Sequence, residues 1–549
     1  MFKTNSHYTL IIKIYEEIFY VFALILANKL NALKFGKKSC YQKTFDTIKA
    51  GIKISVKFVL MRYYRICKCL KVITPKRIVM QNFYDVFGSV VGEASGFLYT
   101  YWLVFALILC GLYLTIRTRF IQLRFLRDVF SILKEKSQKE HISPFGALMI
   151  STASRVGIGN IVGVSVAIAS GGSGALFWMW VSAIVGGASA FVESTLAQVY
   201  KRRVGTHRYK GGPAYYIESA LGSRKLGVIF AISLIFCFAF GFNGLQAFTL
   251  TSSFEVFVGS EVFANSSLTI FVGLILAILV SFFFFGDDSK SALISSILVP
   301  IMAFGYFAVA LVVIGLNVDK IPLIFSNVLS EAFDFSAIFG GFAGSAIVIG
   351  IKRGLYSNEA GMGSAPNAAA AAHTSHPAKQ GMVQTLSVFI DTLIICTASA
   401  FMVLCSSIDK AELKGMALMQ AVMQGHFGTF GLIFVSVAIV LFAFTSLIGN
   451  YFYAEANFKF ITENKRALQV FRFSAVAMVF VGAQLNLGLA WDLADIFMGL
   501  MASINIVVIL LLSNIALKVL RDYEAQKKAG QNPVFRAQSV GIHNTECWK

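Results

Sequence analysis

Two short stretches concentrate the polar chemistry of this chain, and both interrupt apolar runs. One is Gly157-Ile158-Gly159-Asn160, inside ISTASRVGIGNIVGVSVAIAS; the other is YSNEAGMGSAP, with Asn358, Glu359, Gly361 and Pro366. Small residues, amides and a proline interrupt a helix, and an interrupted helix leaves backbone amides and carbonyls without intrahelical partners. Where the helix resumes, its free amides form the positive end of a half-helix dipole and suit a carboxylate. Freed carbonyls and nearby hydroxyls are hard oxygen donors that suit a cation such as Na⁺. A second reading of the glycines is close helix packing alone. A nucleotide-binding loop is excluded: the first stretch is spaced G-x-G-x-x-x-G, no strand precedes it, and apolar residues flank it on both sides.

The elements that must position these stretches follow from composition. The 549 residues are 57% hydrophobic and only 14% charged, with a mean hydropathy of +0.71. Runs such as FLYTYWLVFALILCGLYL (97–114) and LTIFVGLILAILVSFFFF (268–285) are long enough to span a hydrocarbon core of about 30 Å. They do not alternate as barrel strands do. The expected fold is all-α and polytopic, with a lipid bilayer as its partner. From residue 97 eleven segments are predicted, near 97–116, 145–169, 175–198, 226–250, 268–286, 292–316, 338–372, 381–405, 428–453, 470–485 and 493–518. Pieces 317–337 and 409–427 read as external caps.

The net charge of +20 reflects basic loops rather than nucleic acid. RTRFIQLRFLRDVFSILKEK, YKRRVGTHRYK, NFKFITENKR and KVLRDYEAQKK are basic; SFEVFVGSEVFANSS and LNLGLAWDLAD carry acids and no base. This alternation predicts an external start to the first segment and a cytoplasmic C-terminus. Residues 1–79 do not fit it: they hold 16 Lys or Arg against three Asp or Glu, with an apolar stretch too short to span. The expectation is that translation starts at Met80. The alternative is a genuine basic arm on the cytoplasmic leaflet.

The two interrupted segments are the second and the seventh. Segments 2–6 and 7–11 then form two repeats that each begin with a broken helix. Five is odd, so the repeats are inverted, as in secondary transporters whose site lies where matched helices break. The expected organisation is 80–144 for the leading helix and basic loop, 145–316 for the first repeat, 317–337 for the cap, 338–520 for the second repeat and 521–549 for a solvated tail.

VGIGNIVGVSVAIASGGSGALFWMWVSAIVGGASAFVES, YKGGPAYYIESALG, IKRGLYSNEAGMGSAP, FIDTLIICTASA and FAFTSLIGNYFYAE resemble the alanine or glycine:cation symporter family, from about Met80 to Tyr523. The resemblance implies a leucine-transporter-type fold of five plus five inverted helices behind one leading helix. It implies import of alanine, glycine or a similar amino acid driven by Na⁺ or sometimes H⁺, in a bacterial inner membrane, with no cofactor. By the resemblance, the break Gly157-Ile158-Gly159-Asn160 seats the substrate carboxylate on the amides of Ile158 and Gly159, and Asn160 orients the break or reaches a cation. Tyr356, Ser357, Asn358 and Gly361 complete the pocket, with Tyr356 as a gate and Gln246 near the substrate. Thr445 and Ser446, with the carbonyls near Ala153 and Val156, hold Na⁺. Back-bonding to the preceding helical turn is the competing role for these hydroxyls, and helix–helix bonding for Gln246. The family's usual Trp after this pair is Asn450 here, so a bulkier or more polar substrate such as glutamine becomes an expectation beside alanine.

Glu193, Lys352, Arg353, Glu359 and Asp391 also lie inside segments, each at a cost of about 2.5–3.5 kcal/mol or more. Mutual pairing of Lys352 and Arg353 with Glu359, or coupling to ion movement, are the two expectations. His373 and His376 are expected as a wet interfacial pair. Gly171-Gly172-Ser173-Gly174 matches the short motif of intramembrane serine proteases, but no later segment supplies a buried His as base, and an enzyme is disfavoured.

Overall fold

The computed structural model describes residues 74–548 apart from 136–140, 206–207, 261–262, 264–266, 287, 335–340, 342–343 and 411. Most of the basic arm 1–79, and the question of its translation, thus lies outside the described residues. Among the described residues of the unit Asn82–Lys549, the regular elements are helices save for a hairpin of β1 (Arg202–Val204) and β2 (Arg208–Lys210). Among the described residues, seven helices, or eight with one bent pair counted as a single span, are long and apolar enough to cross a membrane. Large apolar side chains such as Phe282, Ile301, Phe304, Phe473 and Leu511 are exposed along them. Water would penalise that surface and lipid does not, so this is a multi-pass membrane protein.

The helices are α1 (Val86–Arg117), α2 (Pro144–Arg155), α3 (Gly159–Gly171), α4 (Gly174–Val199), α5 (Pro213–Leu221), α6 (Arg224–Val258), α7 (Leu268–Phe284), α8 (Asp288–Leu316) and α9 (Ile321–Ala332). After them come α10 (Ala346–Asn358), α11 (Pro366–Ala371), α12 (Pro377–Cys405), α13 (Gly415–Ile461), α14 (Lys465–Gly482) and α15 (Leu487–Lys528). Each predicted segment has a helix or helix pair over it. The piece 409–427, expected as a cap, is helical from Gly415 and forms the first part of α13, which is kinked at Gly428 (φ 60°, ψ −146°).

Local chemistry explains both breaks. Helix α2 starts with Ser143 accepting from the Gly146 amide at 3.0 Å and Pro144 in the first turn, then leaves helical geometry at Val156 (ψ 100°). The chain bends by 53° before continuing as α3. Helix α10 ends with Glu359 in the left-handed region (φ 54°), and Gly361 and Gly363 follow at φ 84° and 90°. Pro366 opens α11, where its missing amide hydrogen costs nothing. Small residues let α10 and α12 sit against α4: Gly350 and Gly354 face Ala175 and Ser182, and Gly381 faces Phe191 and Thr195.

The tail does not stay in solvent as expected. After Lys528 the chain turns back and buries Phe535, Ala537, Ile542 and Trp548. Two of these are aromatic and two aliphatic, which is the composition burial needs but too short and aperiodic to announce itself.

Candidate functional site

At the first break the Asn160 side chain organises the backbone. Its Oδ1 accepts from the Gly157 amide at 3.0 Å, closing the turn that α2 leaves open. Its Nδ2 donates to Asp391 Oδ1 at 2.6 Å and Ser357 Oγ at 3.0 Å. Ser357 and Thr392 donate to the other carboxylate oxygen of Asp391, at 2.7 and 3.0 Å. One buried network thus joins the first break, the end of α10 and the middle of α12. The expected site residues Asn160, Ser357 and Asp391 come together here. Ile158 precedes a wide turn, Gly159–Gly163, at the end of a half-helix where amides lack intrahelical partners.

Gly157 and Gly159 have no room for a side chain. A methyl on Gly157 would collide with Ser446 Oγ and approach Gln246 Nε2 to 3.7 Å; one on Gly159 would meet the Tyr356 ring at 2.8 Å. Gln246 and Ser446 therefore face the first break from α6 and α13. Ser446 Oγ, Gln246 Oε1, Asn450 Nδ2 and the Tyr356 hydroxyl are all buried without a protein partner. Orphaned buried polar atoms cost about 1–3 kcal/mol each, so a cluster of them marks a place for a polar ligand. Asn450 follows Ser446 by four residues and so lies on the same face of α13. The Tyr356 ring is wedged between Phe242 and Trp491, centroids 4.7 and 5.0 Å away.

For a sodium ion, Ser446 Oγ and the backbone near the buried Ala153 and Val156 offer oxygens beside the break. Thr445 Oγ1 instead donates back to the Leu441 and Phe442 carbonyls, both at 3.0 Å, leaving its lone pairs available. Asn358 and Gly361 point elsewhere. Asn358 Oδ1 accepts from the Ala360 amide at 3.0 Å and its Nδ2 faces Ser182 of α4. Gly361 donates to Glu193 Oε1 at 3.2 Å and accepts from Asn505 at 2.9 Å, so Glu193 braces the second break from α4.

The charged residues pair differently from expectation. Lys352 and Arg353 both engage Asp495 of α15, Lys352 at 2.8 Å, and not Glu359. Glu359 accepts from Ser154 at 3.2 Å and Ser364 at 2.6 Å, tying the end of α2 to the segment before α11. Nearness in sequence misled because Lys352 and Arg353 lie over one turn before Glu359, while the left-handed turn at Glu359 swings its carboxylate away. Among the ions whose burial sequence reasoning overlooked are Arg155 and Asp495. Each was visible as an ionisable residue within or beside an apolar run.

His376 is fully buried rather than wet: its Nδ1 accepts from the Ala378 amide at 3.2 Å and its Nε2 lies 3.1 Å from Asp522. Nδ1 as acceptor places the proton on Nε2, which donates to the carboxylate. The His373 ring lies 4.7 Å from that of His141, tilted by 44°, and no metal-binding group of His, Cys, Asp or Glu occurs among the described residues. At Ser173 and Gly174 the backbone amides are bound by Glu331 of α9, at 2.5 and 3.3 Å, a packed turn.

Residues 84–537 match the model of the sodium:alanine symporter family. The chain is 46% identical over 465 residues to the amino-acid carrier protein AlsT of Bacillus subtilis, covering 84% of this chain and 98% of that protein. It is 43% identical to the probable sodium/glutamine symporter GlnT of the same organism, covering 84% and 96%. The sodium/alanine symporter AgcS of Methanococcus maripaludis is 34% identical, with 81% and 99% covered. Among solved structures, MhsT in complex with L-phenylalanine aligns with a TM-score of 0.50 at 16% identity, over 70% of this chain and 99% of that one. That likeness concerns the fold.

Proposed function

As the chain belongs to the sodium:alanine symporter family, a family of sodium-coupled amino-acid symporters and not of enzymes, we propose that it imports a small neutral amino acid by alternating access between the two breaks. Eleven spans, arranged as one leading helix and two inverted repeats of five, carry the site in a bacterial inner membrane with the C-terminus cytoplasmic. The substrate carboxylate rests on the amides opening the turn Gly159–Gly163, and its side chain extends toward Gln246, Asn450 and Tyr356. Sodium sits by Ser446, Thr445 and the carbonyls of Ala153 and Val156. Asp391 holds Asn160 and Ser357 in register and supplies the negative charge that couples cation occupancy to the shape of the breaks. Glu359, freed of Lys352 and Arg353, is the second coupling candidate.

The observation that carries this reading is the network Asn160–Asp391–Ser357 spanning both breaks. A change at either break is felt at the other through hydrogen bonds to one carboxylate, which is what coupling requires.

Alanine or glycine is the first choice of substrate. Glutamine is favoured by a separate observation: Gln246 Oε1 and Asn450 Nδ2 are a buried acceptor and a buried donor, each unpaired, and a primary carboxamide supplies their complements. Uptake of radiolabelled alanine, glycine and glutamine into proteoliposomes, with and without an inward sodium gradient, tests all of this. Uptake that ignores sodium and follows a pH gradient overturns sodium coupling in favour of a proton-coupled permease.

A further inference from the structure

Residues 531–548 reach back across the end of the molecule where α4 and α11 finish and α15 leaves the bundle. Their attachments fall on two sides of α11. On one side, Phe535 donates to the Ser375 carbonyl and Ser375 Oγ to the Pro533 carbonyl, both at 2.9 Å, while Lys379 donates to Asn532 Oδ1 at 2.8 Å. These residues belong to the link between α11 and α12 and the first turn of α12. On the other side, Trp548 Nε1 donates to the Gln198 carbonyl at 2.7 Å, and the Arg203 amide to Glu546 at 2.8 Å. Asn544 reaches the Ser219 carbonyl of α5 at 3.3 Å. The tail closes on itself as well, with Ala537 donating to the Trp548 carbonyl at 3.1 Å and the Phe535 and Trp548 rings 5.5 Å apart.

What lies beneath this bridge is the exit of the second break. Gln198 Nε2 donates to the Ala369 and Ala372 carbonyls and Lys201 Nζ to Ala372 at 2.9 Å, so the last turn of α11 hangs from the end of α4. Lys201 in turn lies between the Tyr209 and Trp548 rings, 4.2 and 4.8 Å from their centroids. His373 donates to the Ile142 carbonyl at 2.8 Å, which fastens the chain leading into α2 to the same link. Parting α2 and α11 from α4 at this end therefore requires the tail to detach from one side or the other. The family match ends at residue 537, so the anchoring tryptophan lies outside it.

We infer that residues 531–548 form a latch that holds α2 and α11 shut against α4 at this end of the path. The inference rests on the transport reading, since a path must open there for the latch to matter. The test is maleimide labelling of Ala369→Cys in full-length protein with the native cysteines replaced, reconstituted in liposomes. Trp548→Ala, and separately Asn532→Ala with Glu546→Ala, are expected to raise the labelling rate about fivefold or more, as an open state gains population. The second variant removes only edge hydrogen bonds and leaves the buried rings in place, so folding is preserved. Labelling at the parent rate in variants that remain monodisperse overturns the latch. If the parent protein takes up no amino acid under any gradient, the transport reading fails, and the labelling comparison still judges the latch by itself.

Discussion

Asp391 is a carboxylate that accepts three side-chain hydrogen bonds, from Asn160, Ser357 and Thr392. Its charge, more than its shape, makes it useful, and Asp391→Asn separates the two. Hydrogen bonds to a charged group contribute about 1.5–3 kcal/mol each. The variant is expected to remain folded while the sodium concentration for half-maximal uptake rises by about tenfold or more, read in proteoliposomes over a sodium series. Asn450 tests specificity at the same scale. Asn450→Trp fills the pocket and removes the donor, so the ratio of glutamine to alanine uptake is expected to fall by about tenfold or more. A ratio unchanged in a functional variant removes Asn450 from the pocket. The composition of these residues was legible beforehand, because polar groups stand out against apolar runs. Their partners were not: Lys352 and Arg353 choose Asp495, over 140 positions away, through the geometry of a turn that no local pattern encodes.

The broken helices convert these residues into a site. Gly157 and Gly159 are positions of close approach, with Ser446 and Tyr356 occupying the space a methyl would take. Gly157→Ala and Gly159→Ala are expected to abolish uptake and destabilise by about 1–3 kcal/mol, the range for overpacking. Gly305→Ala, in open space on α8, should leave both unchanged or slightly improved. Thermal unfolding in detergent beside uptake reads both quantities. Three wide helical turns, Gly159–Gly163, Phe236–Phe242 and Ile390–Cys396, lie at or beside the site, and such turns frequently mark functional positions. At the end of α4, burial pushes the Lys201 ammonium down to about 7. The unfolded chain then binds more protons than the folded one between about pH 7 and the ordinary lysine value, so stability rises with pH across that window. Lys201→Met is expected to flatten this rise, seen as a smaller increase in unfolding temperature from pH 7 to 10 in the variant than in the wild type.

Over the whole molecule, the buried ions divide into pairs that hold helices together and a network that faces the breaks. Asp495 binds both Lys352 and Arg353, and Arg353 also lies over the Trp491 ring at 4.0 Å, so α10 and α15 are joined by charge. Asp495→Asn leaves the buried Arg353 and the half-buried Lys352 short of a partner. It is expected to cost about 3–5 kcal/mol, measurable as a large fall in unfolding temperature, whereas removing all three charges together should cost less. The sequence by itself determined the all-helical, membrane-spanning class, the places of the two breaks and the family, because each rests on local composition or on long contiguous motifs. Lipid solvent makes those local signals strong, since every span must satisfy its own backbone. Only the tertiary structure decided which carboxylate faces which cation, that Asn358 and Gly361 brace the second break against α4 and α15, that His376 is buried, and that the tail folds back onto the bundle. Those outcomes depend on contacts between residues more than a hundred positions apart. Such contacts are set by how helices pack, which periodicity and charge along a single chain do not record.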